Sequence, residues 1–189
     1  MAASLALDPR TSTVALRNYY FLRAGVAAAW VVAAFTAGVS NPVIGAVLLV
    51  LYPAWDALAN LIDARGAGGY RANWSQVVNA AVSTLAALAM LGSLAVGINA
   101  VIGVFGLWAV LAGLLQLITG VRRWRTYGAQ WAMILSGGQS VLAGGFFAFM
   151  ATGPALLSIA TVAGYAGFGA FYFLVSALWL TFRKPRNAA

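Results

Sequence analysis

Six stretches, at 18–39, 43–62, 74–96, 100–120, 129–151 and 155–182, are apolar almost throughout. A bilayer core about 30 Å thick is crossed by roughly 20 residues of helix rising 1.5 Å each. Each stretch therefore reads as a transmembrane helix. Composition closes the argument, because a soluble domain is about 25% charged and about 45–50% apolar. This 189-residue chain is 7% charged and 63% hydrophobic, too few charges to clothe a water-facing surface. The expected fold is all-α, a polytopic membrane protein of six spans.

The connections alternate in character. Ser40-Asn41-Pro42, Gly97-Ile98-Asn99 and Thr152-Gly153-Pro154 carry no charge. The other regions hold Arg10, Arg17 and Arg23, then Arg65 and Arg71, then Arg122, Arg123 and Arg125, and finally Arg183, Lys184 and Arg186. Together these are all 11 basic residues of the chain. Cytoplasmic loops are enriched in Lys and Arg, so both termini are expected in the cytoplasm. Ala33-Ala34-Phe35-Thr36-Ala37 has the small residues of a signal-peptide cleavage site, but the apolar run before it exceeds the about 7–15 residues of a signal core. The first span is read as an uncleaved anchor. Asp8-Pro9 has the form of a helix start, and residues 9–17 read as a short interfacial helix within a cytoplasmic segment 1–17.

Asn41, Val43, Ile44 and Gly45 recur as Asn99, Val101, Ile102 and Gly103, and Trp74 recurs near Trp131. Two spans and their loops fill that interval, which gives three parallel helical hairpins at 18–62, 74–120 and 129–182, followed by a basic cytoplasmic tail at 183–189. Inverted repeats are the commoner mark of secondary transporters. Small and polar residues at steps of three and four mark the faces on which membrane helices meet. Such stripes comprise Gln76, Asn79, Ser83, Ala86, Met90, Ser93 and Gly97 on the third span, and Gly106, Ala109, Gly113, Gln116 and Gly120 on the fourth. Gln130, Met133, Gly137, Ser140 and Gly144 form the fifth, and Ala160, Ala163, Gly167 and Ala170 the sixth. Tyr19, Tyr20, Trp74, Trp124, Tyr127, Trp131 and Trp179 fall near predicted interfaces and read as anchors.

Little enzymatic chemistry is available. There is no Cys and no His, and Asp8, Asp56 and Asp63 are the three carboxylates. Thiolate nucleophiles, the usual general base and a carboxylate-bridged metal centre are thereby disfavoured. Ser136-Gly137-Gly138-Gln139-Ser140 contains candidate hydroxyl nucleophiles but lacks a base to activate them. No cofactor and no enzymatic activity are expected. The net charge of +8 reports topology before nucleic acid, since no recognised nucleic-acid module accompanies it.

Residues 104–120, Val-Phe-Gly-Leu-Trp-Ala-Val-Leu-Ala-Gly-Leu-Leu-Gln-Leu-Ile-Thr-Gly, space glycines along a leucine-rich helix before a basic end. This stretch resembles the second repeat helix of the HdeD-like acid-resistance membrane proteins. Arg23-Ala24-Gly25 resembles that family's repeat start, and the likeness extends over 18–182. It implies a bacterial inner-membrane protein of six spans with a link to acid stress, no established mechanism and no catalytic residues to carry over. The Trp-Pro pair common at that family's turns is replaced here by Asn41-Pro42, Asn99-Ala100 and Gly153-Pro154. Tyr52-Pro53-Ala54-Trp55-Asp56-Ala57-Leu58-Ala59-Asn60 is a further departure, and together these mark a distinct subgroup.

Two candidate sites follow. Asp56 lies six residues before the end of the second span, about 9 Å below the interface. Arg23 enters at similar depth in the first span, and the tight intervening loop makes the two helices expected neighbours. Buried charge in a bilayer is costly unless paired, so Arg23 is expected to pair with Asp56. Arg23, Asp56, Asn60, Asn79 and Gln116 form the candidate intramembrane polar layer. Arg122, Arg123, Trp124 and Arg125 form a basic-aromatic cluster suited to anionic lipid headgroups at the cytoplasmic face. The expected partners are the bilayer, those anionic lipids and a second copy of the chain. The leading function is non-enzymatic support of acid or envelope stress tolerance; the alternative is a small transporter or channel using the polar layer.

Overall fold

The computed structural model describes residues 9–125 and 129–182. The expected tail at 183–189, the Asp8 helix start and the Tyr127 anchor lie outside the described residues. Six helices follow one another: α1 (Pro9–Ala33), α2 (Pro42–Gly66), α3 (Trp74–Ser93), α4 (Ile98–Arg122), α5 (Gln130–Met150) and α6 (Ile159–Phe182). All six are long and apolar enough to cross a membrane. Leu85, Leu88, Leu107, Leu142 and Phe149 are each 60% or more exposed, as a hydrocarbon-facing surface requires.

Local chemistry sets the ends. Asn41 caps α2, its side chain accepting from the N–H groups of Val43 at 2.9 Å and Ile44 at 3.2 Å, with Pro42 at the first helical position. Past the other end of α2, Gly68 and Gly69 take φ of +100° and +92°, which glycine adopts at little cost, and the Gly69 N–H closes on the Ala64 carbonyl. The chain then turns into α3.

Several details depart from the sequence reading. α1 runs without a break from Pro9, so no separate interfacial helix precedes the first span. That span ends in a π-helical turn, Ala34–Gly38, where the chain passes close to α2: a Cβ on Gly45 would stand 2.9 Å from the Gly38 carbonyl oxygen. α6 begins at Ile159 rather than 155, because the Asn99 side chain donates to the Ala155 carbonyl at 2.8 Å and accepts from the Leu157 N–H at 3.0 Å. Those bonds hold the preceding backbone out of the helix. The sequence repeat therefore hides two different jobs, Asn41 capping its own helix and Asn99 bridging to another.

Sequential helices are neighbours in space, and α6 returns to α1, closing a ring. The closest pairs are α4 with α5, α1 with α6 and α2 with α3. α1 packs far more extensively on α6 than on α2, its expected hairpin partner, although Trp30 still donates its indole N–H to the Leu48 carbonyl at 2.8 Å. The small-residue stripes of α4 and α5 are where those helices meet. A Cβ on Gly106 would fall 2.6 Å from the Gly144 carbonyl oxygen, and one on Gly113 2.7 Å from that of Gly137. Only glycine allows backbones this close. On α6 the expected stripe holds only in part: Ala163 is buried, but Gly167 faces open space and burial runs instead through Val162, Ala166 and Ala177. α6 turns Tyr165, Tyr172 and Phe173 toward the bundle centre, so its small residues meet a neighbour on a different face. Tyr20 is likewise not an interfacial anchor; it is 1% exposed and packs 6.0 Å from Phe173.

The apolar core is weighted toward the charge-free end. Trp30, Leu49, Met90, Phe105, Trp108 and Phe147 fill it, with Val162 and Ile159 of α6. Its aromatic members interlock, Trp30 with Tyr52 at 4.8 Å, Phe105 with Trp108 at 5.1 Å and Phe105 with Tyr165 at 5.8 Å. Rings inclined to one another at these spacings pack tightly.

Candidate functional site

On α2 the residues Leu49, Pro53, Asp56, Asn60 and Asp63 are buried, at steps of three and four along one inward face. The lower part of that face is apolar and joins the core. The upper part is polar, and it organises two charged clusters at the Arg-rich half of the bundle.

The first cluster is centred on Asp56. One carboxylate oxygen receives the Arg23 guanidinium in an ion pair. The other accepts from Asn60 Nδ2 at 2.9 Å and from Ser83 Oγ at 2.9 Å. Ser83 in turn accepts from the indole N–H of Trp108 at 2.9 Å. Arg23 donates its other terminal nitrogen to Tyr19 Oη at 3.1 Å and lies 4.3 Å from the Phe173 ring centre. A single carboxylate thus ties α1, α2 and α3 together directly, and α4 through Ser83. Paired and hydrogen-bonded on both oxygens, it meets the condition under which buried charge is tolerated.

The second cluster lies nearer the loops. Asp63 Oδ2 accepts from Arg123 Nη1 at 2.8 Å and from Gln76 Nε2 at 3.1 Å. Arg123 also donates to Asn73 Oδ1 at 2.8 Å, and Asn73 Nδ2 donates to the Ala67 and Gly69 carbonyls at 2.8 and 3.0 Å. The α2–α3 loop is pinned to the end of α4 by these bonds. Thr119 Oγ1, Arg122 Nη1 and Gln76 all converge on Ser75, at 2.9, 3.2 and 2.8 Å.

Between the clusters and the aromatic core lies a chamber of about 70 Å³. Arg23, Asp56, Asn79 and Gln116 line it, with tyrosines from α1, α2 and α6. Among the described residues no three His, Cys, Asp or Glu side chains gather as a metal cage would need. Asp56 and Asp63 are each held by an arginine.

The candidate residues separate clearly. Arg23, Asp56 and Asn60 make one network. Asn79 lines the same chamber, 7% exposed, but does not join it. Gln116 lines it too, and spends its amide on the Met133 carbonyl at 3.3 Å, so it ties α4 to α5 instead of to the charges. The basic-aromatic run divides. Trp124 is 54% exposed, Arg125 is exposed, and Arg122 lies 5.2 Å from the exposed Trp74 ring. Arg123 is 7% exposed and points inward to Asp63, so it does not belong to a lipid-facing cluster. A carboxylate without a counter-charge recruited the one arginine of the run placed to reach it. The Asp63–Arg123 pair and the bond of Trp108 to Ser83 do not follow from the sequence, which places Arg123 in the lipid-facing run and Ser83 on a packing stripe.

Comparison with protein-family models, curated proteins and solved structures finds no match to this chain. The reading of function rests on the chamber.

Proposed function

We propose that this chain is a non-enzymatic multi-pass protein of the bacterial inner membrane, with both termini cytoplasmic, that admits a small solute from the cytoplasmic side into its central chamber. One observation favours this over stress support through assembly alone. A chamber lined by buried charged and polar side chains occupies the Arg-rich half, while the other half is filled by apolar side chains and interlocked aromatic rings. Charged side chains at membrane depth are expensive and usually line a pathway or a binding site. A helix bundle that needed only to associate would be cheaper to build with an apolar centre. The resemblance to the HdeD-like family adds acid or envelope stress as the setting in which such a solute carrier serves the cell.

The test is flux. The purified chain, reconstituted in liposomes of bacterial lipid, should carry at least one of a panel of charged and uncharged small solutes several-fold faster than protein-free vesicles. Arg23→Gln should slow that flux. Folded, correctly inserted protein that moves none of the panel would refute the solute reading and return the chain to a structural role.

A further inference from the structure

The chamber's two carboxylates are satisfied, yet other polar groups around it are not. Asn79 is 7% exposed, and among the described residues its enclosed Oδ1 has no hydrogen-bond partner. Nε of Arg23 is equally enclosed and has no partner among the described residues, although both terminal nitrogens are engaged. Buried polar atoms in folded proteins are very seldom left this way, and each exception calls for a partner. The missing partner must offer an acceptor to Arg23 Nε and a donor to Asn79 Oδ1. A volume of about 70 Å³ exceeds what a single water needs, roughly 10–15 Å³ by the same measure.

Charge narrows the class. Arg23 cancels Asp56, and Arg123 cancels Asp63, so the surroundings are electrically balanced. An ion brought into so balanced a space would arrive without a counter-charge, the costliest state for a buried group. Aromatic faces can attract cations, but the Phe173 face is already taken by the Arg23 guanidinium. Tyr19, Tyr52 and Tyr165 line the space, and aromatic rings pack more readily on a planar group than on a flexible chain.

We infer that the chamber takes a small uncharged planar amide, a solute with a C=O acceptor and N–H donors of acetamide or urea size, bound through Asn79 and Arg23 Nε. This rests on the solute reading above and names the solute's chemistry.

Three isosteres decide it: acetamide, acetate and acetamidinium share one shape and one methyl group and differ in charge. Saturation-transfer NMR on the full chain in detergent micelles reads the methyl signal of each, with glycerol as a flexible uncharged comparison. Acetamide should give the strongest transfer, at least threefold above either charged isostere and above glycerol. Asn79→Ala, which removes the amide and leaves the space, should cut the acetamide signal at least threefold, while Asn79→Gln restores part of it. The ranking in the unaltered protein needs no variant, so a poorly folding Asn79→Ala leaves the class decided. A stronger signal from acetate, acetamidinium or glycerol overturns the amide class and leaves the solute reading standing. No transfer to any of the four means that the chamber holds only water. Acetamide binding unchanged in folded Asn79→Ala overturns the assignment of Asn79. Flux is measured separately, so binding without transport overturns the carrier reading and not this one.

Discussion

Arg23 on α1 and Asp56 on α2, 33 positions apart in the chain, meet as an ion pair inside the bundle. Neither is replaceable by a neighbour, because Arg123 is already bound to Asp63. Removing one member of a buried pair strands the other, at a cost of about 3–5 kcal/mol. Asp56→Asn and Arg23→Gln should each lower the thermal stability of the purified protein in detergent. Asp56→Asn should do so more, since Asp56 also anchors Asn60 and Ser83. The double variant should recover part of the loss. Strictly additive losses would show that the two charges do not support each other.

Two adjacent glycines should respond in opposite directions. A Cβ on Gly137 would stand 2.9 Å from the Gly113 carbonyl oxygen and 3.0–3.1 Å from Leu117, against backbone that cannot yield. Gly138 has nothing within 4 Å. Gly137→Ala should force α4 and α5 apart and cost about 1–3 kcal/mol. Gly138→Ala removes only backbone freedom and should be neutral or stabilising by about 0.5–1 kcal/mol. Melting temperatures of the two variants, measured side by side, check this; equal shifts would mean that the α4–α5 contact is looser than described.

What could be read from the chain without its structure follows physical lines. Helix number and approximate spans were legible because hydrocarbon imposes a length and a composition that few other folds satisfy. The contact faces of α4 and α5 were legible too, since Gly106 and Gly113 recur on one face and Gly137 and Gly144 on the next, but not that these two faces meet each other across the expected hairpins. The neighbour of α1 was not. A short loop says that α1 and α2 are connected, not that they pack, and whole faces decided for α6. Nor does a local pattern reveal that Arg123 turns inward while Arg122 stays out, because that choice depends on where Asp63 of another helix arrives. The late start of α6 has the same origin, an Asn99 side chain from a different hairpin.

Orientation in the membrane has its own test. The chain has no native Cys, so single cysteines report cleanly. Arg71→Cys and Arg125→Cys, at the Arg-rich end, should react with a membrane-impermeant maleimide only after cells are opened. Ser40→Cys and Thr152→Cys, exposed at the charge-free end, should react in intact cells. Labelling of Arg71→Cys from outside would invert the assigned topology and put the chamber on the opposite face.

The divided basic run yields the last expectation. Among the described residues Arg122 has no carboxylate partner; its guanidinium rests by the exposed Trp74 ring and reaches Ser75 at 3.2 Å, beside exposed Trp124 and Arg125. Basic side chains near an anionic surface each contribute about 1 kcal/mol to lipid attraction. Arg122→Gln and Arg125→Gln should therefore reduce retention of phosphatidylglycerol in native mass spectrometry while leaving the melting temperature nearly unchanged. Arg123→Gln should do the reverse. It leaves Asp63 buried and short of its charge partner, and it releases Asn73 and the α2–α3 loop, so stability should fall by about 3 kcal/mol or more with lipid retention preserved. Equal loss of lipid from Arg122→Gln and Arg123→Gln would mean that both arginines face the headgroups, and that the Asp63–Arg123 pair does not persist in the membrane.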